Sequence, residues 1–318
     1  MIGKLPRDTD FEYARRKAFW NDLFAFLARR PNRLLSWDKA RHKLGAGGDI
    51  YRGVQTVAVD QIVGSVGRYR DFDRTFLPTK DSSAPRWLAI ARANYNAVSL
   101  PPVQLYKVGE FYFVLDGHHR VSVARERGIQ YIDAKVTEVA TRVPAPNHLD
   151  ADSLEIKGEY TRFLERTQLD RLRPDQCIEF TIASSYERLL EHIALHHDSM
   201  GQEASRPASR EEAICDWYDH VYLPLVRIIR EKDILADFPS RTEADLYLWI
   251  VDHQRYLREQ CGPGVIPERI AEHFAKRYGG HLLRRAINVV REWISTSACE
   301  LVTGSGTDAG ESTSGDDL

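Results

Sequence analysis

Apolar residues recur at helical spacing near the start of the chain. Phe11, Ala14, Ala18, Phe19, Leu23, Phe26 and Leu27 predict a first helix, which Pro31 ends. Ser36 as N-cap and Gly45 beyond the end frame a short second helix, and Gly45-Ala46-Gly47-Gly48 then breaks the chain. From Gly53 the pattern changes: Val54, Thr56, Val57 and Val59 predict a strand rich in β-branched residues. A polar, arginine-rich loop follows, Gly67-Arg68-Tyr69-Arg70-Asp71-Phe72-Asp73-Arg74. Pro85, Trp87, Ile90, Ala91 and Tyr95 predict a helix capped by Ser82 or Ser83, with proline at the first position, where an N–H would have no partner. Val103 to Val108 and Phe111 to Leu115 predict a hairpin around Gly109-Glu110. A short helix carrying Val121, Val123 and Ala124 ends at Gly128, and Ile132 to Val136 predicts a further strand.

Pro144, Pro146 and Asp150-Ala151-Asp152 mark a linker, after which the pattern is mostly helical. Ser184-Ser185-Tyr186-Glu187 reads as a capping box ahead of Leu189, Leu190 and Ile193, and Thr242 caps a helix with Leu246, Trp249, Ile250 and Tyr256. Gly279-Gly280 separates two amphipathic segments, one with Ile270, Phe274 and Tyr278, the other with Leu282, Ile287, Val290 and Trp293. The Gly-, Ser-, Thr- and Asp-rich tail from Thr303 predicts disorder. The expected class is α+β: N-terminal helices and a small mixed-sheet domain, then a mostly α-helical C-terminal domain. The expected divisions are a helical segment at 1–52, the sheet domain at 53–143, the helical domain at 144–302 and the tail at 303–318.

The 318 residues suggest about two domains. With 43% hydrophobic and 28% charged residues the chain has the composition of a globular protein, and this excludes a collagen-like or wholly disordered one. No run of about 20 apolar residues predicts a membrane span, and the first residues lack a signal-peptide core. Cys177, Cys215, Cys261 and Cys299 form no CxxC pair, which points to a reducing, cytoplasmic setting and away from a disulfide framework or a zinc ribbon. The net charge of −2 argues against charge-driven coating of nucleic acid but leaves room for a local basic patch.

The most informative string is Phe113-Val114-Leu115-Asp116-Gly117-His118-His119-Arg120. A strand delivers the chain to a glycine turn where a helix begins, and the unpartnered N–H groups of a helix start favour an anion. Gly117 permits close approach of a phosphate, Arg120 can fork onto its oxygens, and His118 and His119 can donate to it or move a proton. Asp116 can hold a metal or accept a proton from a substrate hydroxyl. The competing reading is a capped turn, with Asp116 as the cap and both histidines on the surface.

On these residues the segment from Leu100 to Val139 resembles the ParB/sulfiredoxin superfamily: a hairpin, a glycine turn ending in arginine, a helix rich in small residues and a final strand. Val54 to Val59 and the loop from Gly64 to Arg74 are similar to the family's opening strand and polar loop. Partition-type ParB proteins carry Gly-Glu-Arg-Arg at the turn and bind CTP there; here Gly117 and Arg120 match, and His118 and His119 replace the middle pair. Sulfiredoxins carry a catalytic cysteine at the position of His118, and the absence of any cysteine in this domain excludes reductase activity. Asp116 to Arg120 matches, residue by residue, the Asp-Gly-His-His-Arg of ParB-like free serine kinases. Those kinases use an upstream glutamate as base; this chain has none between Glu12 and Glu110, so Asp71 or Asp73 stands in.

The resemblance implies a nucleotide (ATP, ADP or CTP) with Mg²⁺, over which the arginine loop closes. Asp116, His119 and Asp71 are the candidate catalytic residues. Gly117, His118, Arg120, Arg68, Arg70 and Ser65 are the candidates for binding nucleotide and phosphate, with Tyr69 stacking on a base. The competing readings of the loop are solvated Arg–Asp pairs and a contact with a DNA backbone. No metal site is assigned. His192 and His196 share a helix spacing that suits a metal, but no HExxH string accompanies them, and ordinary histidines are expected. Tyr222, Tyr247, Trp249 and Tyr256 are expected in the core, and the second half resembles an uncharacterised helical domain that accompanies ParB-like domains.

Three functions follow in order. The first is a nucleotide-dependent phosphotransferase or NTPase acting on a small hydroxylated acceptor. The second is a nucleotide-switched regulator or scaffold whose helical half docks a partner or a second copy as a homodimer. The third is a ParB-type DNA-binding regulator, weakened by the lack of a helix-turn-helix. A nuclease stands below these, because no carboxylate cluster suits two metals. No membrane partner is expected.

Overall fold

The computed structural model describes residues 7–203, 208–231 and 233–261. It divides into two compact units, Met1–Thr161 and Arg162–Leu318. The fold is α+β.

The first unit opens with helix α1 (Asp8–Leu27), strand β1 (Leu35–Ser36) and helix α2 (Trp37–Lys43). Strands β2 (Ala46–Ala58) and β3 (Ile62–Ser65) follow, then helix α3 (Ala84–Tyr95), strands β4 (Val103–Val108) and β5 (Phe111–Asp116), helix α4 (His118–Glu126) and strand β6 (Tyr131–Thr141). One mixed sheet has the order β1-β3-β5-β4-β6-β2. β3 is parallel to β1 and β5, β4 is antiparallel to β5 and parallel to β6, and β2 is antiparallel to β6.

Alternation along β5 sorts its side chains between the faces. Tyr112 and Val114 join Val103, Leu105, Val121 and Ala124 in the core between the sheet and α4. Phe113 faces the other way, against Trp37, whose ring stacks on Tyr106 at 4.7 Å between centroids. A second cluster joins Phe11, Ala14 and Ala18 of α1 to Trp87, Leu88 and Ala91 of α3 and Val123 of α4. The apolar residues in the second half of α1 behave differently: Phe19, Phe26 and Leu27 are exposed.

Two sequence expectations are corrected. The glycine run at 45–48 does not end the regular structure: β2 begins at Ala46 and pairs with β6 as far as Ala58, with register shifts between Ala46 and Asp49, across Gly47-Gly48, and between Tyr51 and Gly53. Pairing with an eleven-residue partner strand overrides the weak strand preference of glycine. The segment read as the start of a polar loop at Gly64 is instead β3, paired on both sides. Its glycine is required by packing, since a Cβ at Gly64 would lie 2.3 Å from the Phe113 ring.

The second unit contains the last residues of α5 (Ala151–Thr167), then α6 (Leu169–Leu172), α7 (Ser185–Glu203), α8 (Arg210–Asp216), a π-helical stretch (Trp217–Tyr222), α9 (Leu223–Glu231) and α10 (Glu243–Cys261). Trp217, Tyr222 and Tyr247 are buried together, with the Trp217 Nε1–H donating to the Tyr247 hydroxyl at 3.1 Å. Thr242 and Asp245 cap α10 reciprocally, each accepting from the other's amide. The expected segments with Ile270 to Tyr278 and Leu282 to Trp293, and the tail from Thr303, lie outside the described residues.

Candidate functional site

β3 and β5 run side by side in the same direction, with Ser65 opposite Val114, so both strands end at one edge of the sheet. The chain leaves β5 through Gly117, which is left-handed (φ +98°) and precedes the first turn of α4. A Cβ there would meet Val103 Cγ1 at 2.5 Å and the Arg120 guanidinium at 3.0 Å, so only glycine fits. The Arg120 and Val121 amides return to the Gly117 carbonyl at 2.8 and 3.0 Å. The preceding amides, of His118 and His119, have no acceptor within the helix, an arrangement that favours an anion at the helix start.

Both histidines are buried, contrary to the surface placement of the capped-turn reading. Ser65 Oγ lies 2.7 Å from His118 Nε2 and also receives the Arg68 amide at 3.3 Å. The Ser65 hydroxyl can donate to the imidazole or to the Val66 carbonyl at 3.4 Å, so the pair is satisfied with either neutral tautomer of His118. Burial, followed by the charges of Arg68 and His119, holds His118 at about 4. Burial and the charges of Arg68 and Arg86 hold His119 at about 4 as well. His119 Nδ1 is buried with no hydrogen-bond partner. The Phe72 ring stacks on His118 and meets His119 edge-on, with centroids 6.1 and 5.3 Å away.

The arginine loop divides between two places. Arg68 faces the histidines: its Nε donates to Asp71 Oδ2 at 2.9 Å, and its guanidinium lies 5.8 Å from the centre of the Phe72 ring. Lys80 Nζ donates to the other Asp71 oxygen at 2.6 Å. Burial alone would raise the Asp71 carboxyl, but the hydrogen bonds and charges of Lys80 and Arg68 outweigh it and hold it below the usual carboxylate range. Arg70 turns away, over the Tyr69 ring, into a separate cleft. Asp73 is fully buried and accepts from the Thr75 and Leu77 amides, the Thr75 hydroxyl and Asn21 Nδ2, a set that shapes the loop and leaves no room for a base.

Arg120 is committed inside the protein. Its Nη2 donates to Asp116 Oδ2 at 2.7 Å, and its Nη1 to the carbonyls of Pro101 and Pro102. It ties the approach to β4 to the turn, while Asp116 remains exposed. Thus Ser65, Arg68, Asp71, Gly117, His118 and His119 are brought together, Asp116 and Arg120 form a pair beside them, and Arg70 is elsewhere. Sequence reasoning missed Phe72, Lys80 and Arg86. Phe72 lay within the singled-out loop, but no local signal shows which loop residues turn inward.

In the second unit His192 Nε2 bonds to Asp252 at 3.2 Å and His196 Nε2 to Asp216 at 2.8 Å. The two rings address different carboxylates, on α10 and α8, and cross-link α7 to both. No group of three or more His, Cys, Asp or Glu side chains suited to a metal occurs among the described residues. No helix among them is long and apolar enough to cross a membrane.

No family model matches the chain, and no curated protein does. Among solved structures the chain is similar to a Pnob8-like ParB-N domain, at 12% identity over 81% of this chain and 100% of that one, with a TM-score of 0.20.

Proposed function

We propose that the chain binds the phosphates of a nucleoside di- or triphosphate at the Gly117 turn and transfers the terminal phosphoryl group to a small hydroxylated acceptor or to water. The observation that carries this reading is the buried, unpartnered His119 Nδ1 behind a helix start, in the positive field of Arg68 and Arg86. A buried ring nitrogen without a partner costs about 1–3 kcal/mol, and an anion oxygen at the helix start would satisfy it. The match of Asp116 to Arg120 with the Asp-Gly-His-His-Arg of ParB-like serine kinases supports the same ligand.

Phosphoryl transfer depends mainly on positioning and on neutralising charge. Arg68 and the first amides of α4 would hold the phosphates. The Asp116 oxygen not engaged by Arg120 is the available protein ligand for Mg²⁺, which the phosphates themselves would mostly hold. Phosphates that draw Arg68 and Lys80 away from Asp71 would leave its carboxylate free to accept the acceptor's hydroxyl proton.

One observation favours a second reading, a nucleotide-responsive switch without transfer: both Asp71 oxygens are occupied. The experiment is calorimetric titration with ATP, ADP and CTP plus Mg²⁺, followed by an assay for released or transferred phosphate. Binding that weakens in Arg68→Ala and is followed by turnover supports the enzyme. Binding without turnover in any acceptor screen supports the switch. No binding of any of the three overturns both.

A further inference from the structure

Away from the Gly117 turn, at the N-terminal ends of β3 and β5, the first unit encloses a cleft of about 530 Å³. It lies among β1, α2, the start of α5 and the outer part of the arginine loop. Six basic side chains line it, Arg33, Lys39, Lys43, Arg70, Arg74 and Arg125, against three carboxylates, Asp60, Asp150 and Glu155. Lys43 and Glu155 neutralise each other. Asp150 is occupied by the Ser153 amide at 2.9 Å and by His148 at 3.5 Å. Arg125 spends its Nη2 on the Val59 and Ile62 carbonyls, and its Nε is buried without a partner.

Asp60 lies in the field of Arg125, and Asp150 in that of Arg74. That leaves Arg33, Lys39 and Arg70, with Arg74 beside them; none of the four has a carboxylate within ion-pairing distance among the described residues. The chain as a whole is slightly acidic, so this is a local concentration of positive charge. Like charges gathered in one concavity repel one another and focus a field that attracts an anion. Leu35, Tyr69 and Phe111 line the same cleft and offer an apolar wall and an aromatic face. Its volume falls in the range of small-molecule sites, about 300–1,000 Å³.

We propose that this cleft is a second anion site, which takes a small organic polyphosphate: two or more phosphate groups against Arg33, Lys39, Arg70 and Arg74, and the organic body against Tyr69 and Phe111. The site shares no ligand group with the Gly117 turn, and its success or failure is independent of the function proposed there.

The test is calorimetric titration of the full chain with inorganic tripolyphosphate, which carries the charge without the organic body. It is run on the parent, on Lys39→Glu/Arg74→Glu and on Arg68→Ala. Both cleft substitutions are at exposed positions, and melting curves confirm folding. The expected result is a loss of affinity of about tenfold or more in the double variant, with Arg68→Ala retaining this binding event. The neutral pair Lys39→Gln/Arg74→Gln should fall between parent and reversal, with a melting temperature no lower than the parent's, because it removes repulsion. Equal binding by parent and charge-reversed protein overturns the proposal, as does no binding by the parent. A single-stranded oligonucleotide bound in the cleft at least about tenfold tighter than tripolyphosphate also overturns it, in favour of a nucleic-acid backbone site.

Discussion

Ser65 Oγ and His118 Nε2, 53 residues apart in the chain, meet at 2.7 Å in the protein interior. The contact joins the end of β3 to the start of α4 and gives the imidazole, which burial keeps neutral, a hydroxyl partner on its Nε2 side. Ser65→Ala removes that partner and strands a buried ring nitrogen. The expected cost is about 1–3 kcal/mol, read as a shift in the denaturant midpoint at constant slope. A midpoint equal to the parent's would show that the pair contributes nothing.

The two histidines make stability depend on acid. Each has a folded value of about 4 against an ordinary 6.5. Between those values the unfolded chain binds more protons than the folded one. The contribution is therefore fully present above pH 6.5 and is lost progressively as the pH falls towards 4. His192, also at about 4, acts in the same window through burial and the charges of Arg255 and Arg188. Every tenfold difference in proton affinity between the folded and unfolded chain corresponds to ~1.4 kcal/mol, so the loss should reach several kcal/mol. Denaturant melts across this range should show a slope that flattens in His119→Gln. An unchanged slope in that variant would remove His119 from the account.

Gly117 and Gly128 flank the same helix, and both have positive φ, but only Gly117 is crowded. Gly128→Ala should cost about 1 kcal/mol, the strain of the left-handed backbone alone. Gly117→Ala adds the collision with Val103 and should cost several kcal/mol or prevent folding. Comparing the two melting temperatures checks this, and similar values would contradict the packing argument.

Arg68 and Arg120 should separate binding from stability. Arg120→Ala leaves Asp116 and the Pro101 and Pro102 carbonyls without their donor and should lower stability by about 1–3 kcal/mol. Arg120→Lys keeps the charge but not the planar fork, and should lose most of the same amount. Arg68 is exposed, and its pair with Asp71 is worth at most about 1 kcal/mol. Arg68→Ala should melt close to the parent and instead weaken nucleotide binding. Nucleotide titrations beside melting curves decide the matter; the opposite pattern would return the phosphate contact to Arg120.

The sequence by itself determined what depends on near neighbours. β-branched and aromatic runs around Gly109 specified the β4–β5 hairpin, helical spacing specified α1 and α3, and the step from a strand into Gly117 specified the turn that opens α4. Gly45 and Gly128 marked helix ends because a left-handed glycine stops a helix locally, and Ser36 marked a start by its position, although its side chain makes no capping hydrogen bond. Only the tertiary structure decided what depends on distant partners. β3 is a four-residue segment with a glycine in it, and it becomes a strand only because β1 and β5 flank it and the Phe113 ring needs the space over Gly64. The same holds within the arginine loop, where Arg68 and Arg70 are equivalent by composition and spacing. Asp71 and Phe72 hold the first beside the histidines, while the second lines a different cleft. A side chain's type sets which partners satisfy it, but the direction it takes is settled by where the folded backbone places those partners.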